Sequence, residues 1–256
     1  IGDLHLEDTV PAMEYLMLAG GQFSKSRKHA VWLPSFLQKY DPDTLRYYLS
    51  INMPENHDTD FNWPDFVEKI NSELIAAYGN FVHRVLTLGA RMPDNKSLSS
   101  YENLDLCKDA MKKLEDIHHN ITSSLERHRY KEALRYAMSA AQFGNQLLQA
   151  ATPWKYLKDS DNTSAAESFA RLSFGWRISR FLAITTQPFL PFSAKRLWAS
   201  LGESGDVAMV DWYSAIDWNV EFKWNSKPAE PLFERLDLEA ILEDEMGLVD
   251  SNTESG

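Results

Sequence analysis

The chain holds 256 residues, of which 44% are apolar and 25% charged; that balance supports a packed core and excludes a wholly disordered chain or a collagen. A single cysteine, Cys107, excludes an intramolecular disulfide and a thiolate metal cluster and fits a reducing compartment. The net charge of −11 sits entirely at the end of the chain: from Leu201 to Gly256 fourteen acidic residues face three basic ones (Lys223, Lys227 and Arg235), while positions 1–200 balance. The objection that acidic proteins bind nucleic acid poorly therefore applies to the tail alone. No apolar run approaches the ~18 residues that a membrane span needs, and no signal peptide is visible, so a cytoplasmic location and no membrane partner are expected. The first residue is Ile1, which reads as the start of a fragment or of a processed product.

In chain order, Pro11 to Leu18 reads as a short strand with Met13, Tyr15 and Met17 on one face. The polar loop from Ala19 to Arg27 follows, with two glycines and two serines that make it mobile. Pro34 opens a helix with Phe36, Leu37 and Tyr40 on one face. Asp41-Pro42-Asp43 stops it and restarts a second helix over Thr44–Ile51. Residues 52–60 keep no period and read as a connection. A long helix starts at Asn62-Trp63-Pro64-Asp65 and keeps core spacing through Phe66, Ile70, Leu74, Phe81 and Leu88 to Arg91, until Pro93-Asp94-Asn95 breaks it. Helical patterns recur at 101–126, 130–150, Ala165–Thr186 and Ser193–Leu201, with a Thr152-Pro153-Trp154 corner between the second and third. The sum is a mainly α chain, an antiparallel helix bundle with short loops. Near the end, Trp218, Val220, Phe222 and Trp224 alternate as in a strand, Leu236–Leu242 forms a short helix, and Asp250–Gly256 is expected to be disordered. Trp212, Trp218 and Trp224 read as apolar anchors that hold the tail to another surface.

One loop carries chemistry on its face. In Phe23-Ser24-Lys25-Ser26-Arg27 two cations stand among hydroxyls beside glycines, a composition suited to gripping polyphosphate. Composition alone equally describes a solvated surface loop, and the Walker spacing is missing. Trp154, an indole after a proline at a helix corner, is either a base-stacking platform or a corner packing residue. His118 and His119 point about 100° apart on a helix, cannot converge on one metal, and read as a solvated face. His83, Tyr47 and Tyr48 read as packing residues, Cys107 as core, and Asp41 with Asp43 as a helix cap.

The segment Gly21-Gln22-Phe23-Ser24-Lys25-Ser26-Arg27 resembles the Lys-Met-Ser-Lys-Ser signature of class I aminoacyl-tRNA synthetases. Asp41 to Leu49, Asp60 to Phe66, Asn71 to Leu74, Gly79 to Arg84, Ala151 to Trp154 and Gln187 to Ser193 resemble, in order, segments of methionyl-tRNA synthetases, with phrasing that leans toward the archaeal type. The resemblance implies that Lys25 stabilises charge on the β,γ-phosphates of ATP, that Ser24 and Ser26 orient the loop, that Gly21 lets the backbone approach, and that Arg27 neutralises pyrophosphate. Gln22 stands where the signature has its first lysine, and Phe23 replaces its Met while keeping an apolar anchor. The same resemblance assigns Trp154 and Arg91 to the anticodon, with Thr87 where many members carry Asn.

These features imply the C-terminal half of a methionine–tRNA ligase: residues 1–60 as the end of an α/β catalytic domain with its stem-contact connection, 61–200 as the anticodon-binding bundle, and 201–256 as an acidic tail. The intact enzyme would use ATP with Mg2+, and this fragment alone would bind no cofactor. Its expected partners are a methionine-accepting tRNA with a CAU anticodon and the N-terminal catalytic half of the same chain, with no DNA. The alternatives are a class I synthetase of the valine, isoleucine or leucine type, and a non-catalytic helical tRNA-binding protein.

Overall fold

The computed structural model describes residues 9–24, 26–91, 105–155, 163–220 and 230–251. Strand β1 (Leu16–Leu18) pairs in parallel with β2 (Thr59–Phe61), with Leu18 opposite Phe61. A parallel pair needs a crossover, and helices α1 (Leu33–Lys39) and α2 (Pro42–Ile51) supply it. The strand is shorter than Pro11–Leu18 because pairing extends only as far as β2, and Tyr15 stays exposed. Strand β2 ends just beyond the stretch read as a connection; three residues are too few to show a period. Phe61 anchors a ring cluster with Tyr48, Trp63, Phe66 and Phe36. In α1 Phe36 enters this cluster, but Leu37 is 50% exposed and faces away from it.

Asp41 caps α2 as its sequence suggests, accepting a hydrogen bond from the Asp43 amide at 2.8 Å. Asp43 itself is buried and accepts from the Ser193 amide at 2.6 Å, joining α2 to the first turn of a helix 150 residues away. Asn62 caps α3 (Trp63–Lys69) by accepting from the Asp65 amide at 2.9 Å. The long helix then continues as expected to α4 (Asn80–Gly89), but its middle, Ile70–Gly79, is wound as a π-helix. That winding puts Ile70, Leu74 and Tyr78 in the core, and Asn145 donates to the Ala77 carbonyl at 2.8 Å. The predicted break at Pro93-Asp94-Asn95 lies outside the described residues.

Helices α5 (Asp105–Glu126), α6 (Tyr130–Ala151), α7 (Thr163–Thr186) and α8 (Pro191–Ser200) pack in succession, and α7 also packs on α4. From Leu172 to Thr186, α7 is buried on every side, as the central element of the bundle must be. Its buried Ser173, Ser179, Thr185 and Thr186 hydroxyls each donate to the carbonyl four residues back, which spares them unpaired burial.

The tail docks on the bundle. Short 3₁₀ turns at Val207–Met209 and Trp212–Ile216 replace most of the irregular segment, and Trp218 lies in a turn, so the expected strand does not form there. Phe222 and Trp224 lie outside the described residues. Trp212 and Trp218 are anchors, and their surface is α5: their indole N–H groups donate to Thr122 and Glu115, each at 2.8 Å. This docking overturns the solvated face assigned to His118, which is 2% exposed beneath Trp212 and Tyr213. Phe233 packs on Tyr78, and Asn71 clamps the backbone of Leu236 through both its amide and carbonyl. Helix α9 (Leu238–Ser251) is longer than expected and takes in Asp250; residues 252–256 lie outside the described residues.

Candidate functional site

The loop after β1 is rooted by backbone hydrogen bonds. Leu18 and Gly21 exchange them at 2.8 and 2.9 Å across a two-residue turn, where Ala19 and Gly20 both adopt positive φ. Such a turn favours glycine, and the Gly20 amide donates to Asp60 at 2.8 Å. Farther out, Ser24 and His29 exchange backbone hydrogen bonds at 2.9 Å, which closes a tight tip. The Ser24 hydroxyl lies 3.2 Å from that of Ser26 and accepts from the Arg27 amide at 3.3 Å. The His29 ring donates through Nε2 to the Leu18 carbonyl at 2.6 Å and so ties the returning strand of the loop to its root. Lys25, the expected charge carrier, lies outside the described residues.

The fold therefore brings Gly21 and Arg27 together on one hollow of about 340 Å3, beside Gln22 and His29, while Ser24 and Ser26 organise the tip. Arg27 is exposed and free to reach a ligand. Phe23, read from the sequence as an apolar anchor, is 40% exposed. His29 was not singled out in the sequence, since its partner is a carbonyl eleven residues away.

A second place forms where α4 meets the corner after α6. Thr152 ends α6 in a left-handed conformation, Pro153 is buried, and Trp154 is held at the surface with 39% of its area exposed. The Arg84 guanidinium lies over the indole at 5.4 Å from the ring centroid. Thr87, half-buried, and Arg91, exposed beyond the last turn of α4, follow Arg84 at helical spacing. Sequence reasoning missed Arg84, although its spacing to Thr87 and Arg91 marks one helix face. The other candidates behave structurally: Cys107 is buried, and the Tyr47 and Tyr48 hydroxyls donate to Glu73 and Asp65 at 2.7 and 2.6 Å. Among the described residues no three His, Cys, Asp or Glu side chains gather as metal ligands, and no helix is long and apolar enough to cross a membrane.

A cation-bearing loop on a parallel strand pair, followed by a helical bundle with an exposed tryptophan corner, is the build of a class I aminoacyl-tRNA synthetase from its signature loop onward. The family model described as tRNA synthetases class I (M) matches residues 2–86, and the one described as the anticodon binding domain of methionyl tRNA ligase matches residues 92–239. The chain belongs to the methionyl-tRNA ligase family. It is 38% identical over 245 residues to the methionine–tRNA ligase of Methanopyrus kandleri, covering 93% of this chain and 35% of that protein. Against the methionine–tRNA ligase of Dehalococcoides mccartyi the identity is 38% over 250 residues, covering 96% of this chain and 44% of the other. The chain thus spans less than half the length of these relatives. The solved structure of the free Mycobacterium tuberculosis methionyl-tRNA synthetase shares the fold, with a TM-score of 0.72 at 18% identity over 88% of this chain and 43% of that one. The structure of the same enzyme in complex with methionyl-adenylate gives 0.74 at 18% identity, with the same coverage.

Proposed function

We propose that this chain supplies the nucleotide loop and the anticodon reader of an enzyme that activates methionine with ATP and esterifies it to a tRNA bearing a CAU anticodon. The observation that carries this reading is the match of residues 92–239 to the anticodon-binding domain, with Trp154 held half-exposed inside it. Residues 1–60 would complete the catalytic domain, 61–200 form the reader, and 201–256 the acidic tail that braces it; the enzyme would work in the cytoplasm.

At the loop, the attack of methionine's carboxylate on the α-phosphate builds charge on the departing pyrophosphate. Lys25 and Arg27 would meet that charge, with Ser24 and Ser26 setting the tip and the Gly21 backbone admitting the phosphates. Gln22, in place of a first lysine, contributes a donor without charge. The described residues lining the hollow beside Arg27 include no carboxylate, so none of them would hold the Mg2+ that accompanies ATP; when bound, the ion would supply further charge neutralisation to the phosphates. At the corner, Trp154 would stack an anticodon base from the side opposite Arg84, and Thr87 and Arg91 would reach base edges or phosphates.

The test is binding of this chain, at one stated salt concentration, to a CAU-anticodon tRNA and to the same tRNA with the anticodon changed. A preference for CAU that disappears in Trp154→Ala supports the reading; equal binding of both tRNAs overturns it.

A further inference from the structure

The parallel pair formed by the Trp63–Gly89 helix and α6 ends at Trp154 on one side. On the other side it frames a groove of about 530 Å3, between α2, the π-helical stretch and α6. Lys69, Glu73, Lys131 and Arg135 line it. Two of these charges are already committed. Lys69 is held by Asp65 and Asn52 at 3.0 Å, and Glu73 accepts from the Tyr47 phenol at 2.7 Å. Burial, reinforced by Glu73, pushes that phenol's titration well up, so it stays a donor and keeps the carboxylate occupied.

Lys131 and Arg135 are different. They stand four residues apart on α6, and among the described residues neither side chain makes a hydrogen bond or an ion pair. The nearest acid in sequence, Glu132, is engaged by the Ser124 hydroxyl at 3.1 Å, and the Glu55 carboxylate accepts from the Lys131 backbone amide at 2.8 Å and not from its ammonium. Like charges at this spacing on a helix repel each other. An arrangement that keeps two cations unpaired on one groove, in a chain of net charge −11, is suited to an anion supplied from outside.

The length of the framing helices indicates which anion. From Lys131 to Ala151, α6 runs twenty residues, about 30 Å at 1.5 Å per residue, and leads directly to the Trp154 corner. The opposite wall repeats the arrangement, with Lys69 and Glu73 at the groove and Arg84 under the indole. A polynucleotide that puts a base on Trp154 and follows this helix pair carries phosphates to the groove. We propose that Lys131 and Arg135 form a backbone-phosphate site for the same RNA whose anticodon meets Trp154; the proposal rests on the reading of this chain as a tRNA binder. Phosphate contacts fix register and affinity without reading sequence, so the two sites divide the labour.

The experiment measures Kd for the CAU-anticodon tRNA over a range of salt concentrations, using the parent chain, Lys131→Ala/Arg135→Ala, Glu73→Gln and Trp154→Ala. Each lost phosphate contact flattens the slope of log K against log salt by about 0.7–0.9, so the double variant should be shallower by about 1.4–1.8 and keep its preference for CAU. Trp154→Ala should do the reverse, losing the preference while keeping the slope. Glu73→Gln removes the one acid among the described residues lining the groove and should tighten binding, which serves as a gain-of-affinity check if the double variant folds poorly. Parent and double variant with equal slopes, or no tightening in Glu73→Gln, would overturn the phosphate site alone. Absence of any tRNA binding by the parent would overturn the tRNA-binding reading and the site together.

Discussion

Gly144 on α6 packs against the Phe81 ring of α4, and replacing it with alanine sets two effects of known size against each other. Helix propensity favours Ala over Gly by about 1 kcal/mol in a helix interior. A methyl at this position, however, would lie 2.5 Å from both Cε2 and Cζ of Phe81, and 3.0 Å from its Cδ2. That is about 1 Å inside the optimal carbon–carbon separation. The Phe81 ring is fully buried, so it cannot swing into solvent to make room. Overpacking of this kind costs about 1–3 kcal/mol, and with three ring atoms affected the upper part of that range applies. The clash therefore wins, and Gly144→Ala should destabilise by about 1–2 kcal/mol net, lowering Tm by roughly 2–8 °C. Gly175 provides the control, because a methyl there meets Val85 Cγ2 at 3.0 Å and Leu148 at 3.6 Å, both at the ends of branched aliphatic chains. Its propensity gain should nearly cancel its crowding. Urea and thermal unfolding followed by circular dichroism measure both variants, and a Gly144→Ala/Phe81→Leu double variant should recover at least about 1 kcal/mol relative to the sum of the singles. Stabilisation by Gly144→Ala, or strict additivity with Phe81→Leu, would refute the packing argument. Because α4 carries Arg84 and α6 leads to Trp154, the same variant should also weaken tRNA binding more than Gly175→Ala does.

Asp43→Ala should cost about 2–3 kcal/mol, since it strips a carboxylate from the buried Ser193 amide at the start of α8. Asp43→Asn keeps the acceptor and should cost much less. Burial holds the Asp43 carboxyl above the usual carboxylate range despite the Ser193 hydrogen bond. The folded chain therefore binds this proton more tightly than the unfolded one. The contribution is complete below about pH 3.9 and declines as pH rises through the elevated titration; urea midpoints against pH should show this limb flattened in Asp43→Asn. His118 has the opposite sign: burial holds its ring below the ordinary imidazole range. Stability, and the fluorescence of the docked Trp212, should fall as pH drops below about 6.5, and less so in His118→Gln. In the intact enzyme, Lys25→Ala should slow methionine-dependent ATP–pyrophosphate exchange by well over tenfold, and an unchanged rate would remove Lys25 from the reaction.

What could be read from the sequence was whatever depends on near neighbours. The spacing of Leu114, Ile117 and Ile121, and of Ala133, Ala137 and Ala141, marks α5 and α6 because each helix presents one face to the core. Asp41 and Asn62 announce helix starts because a cap acts two or three residues ahead. The features that stayed hidden are set by partners far away. β2 exists only because β1, about 40 residues earlier, pairs with it. His118 is buried only because Trp212, 94 residues later, closes over it. Arg84 joins the corner only once Trp154, 70 positions on, is folded against it. At the loop, Gly21, Ser24, Ser26 and Arg27 could be picked out by type and order, whereas His29 gained its role from the turn that brings it back to Leu18.

The distribution of charge, and not its total, decides whether an acidic chain of this kind can hold RNA. Many tail carboxylates are used within the fold. Asp206, Asp211 and Asp237 accept from backbone amides at the starts of short turns or of α9. Glu203 pairs with Arg180, and Asp244 with Lys39, each at 2.8 Å. These acids brace the bundle and are partly neutralised by the groups they touch. Exposed charges farther off are screened within about 8 Å at physiological ionic strength, so the tail's excess does not cancel an unpaired cation elsewhere on the bundle. Arg91 beyond α4, with Lys131 and Arg135 at the far end of α6, then sets the local field for a ligand lying along the helix pair. On the proposed tRNA-binding reading, a strong salt dependence is expected despite the net charge of −11, and removing acids from the tail should alter that dependence far less than removing two cations from the groove.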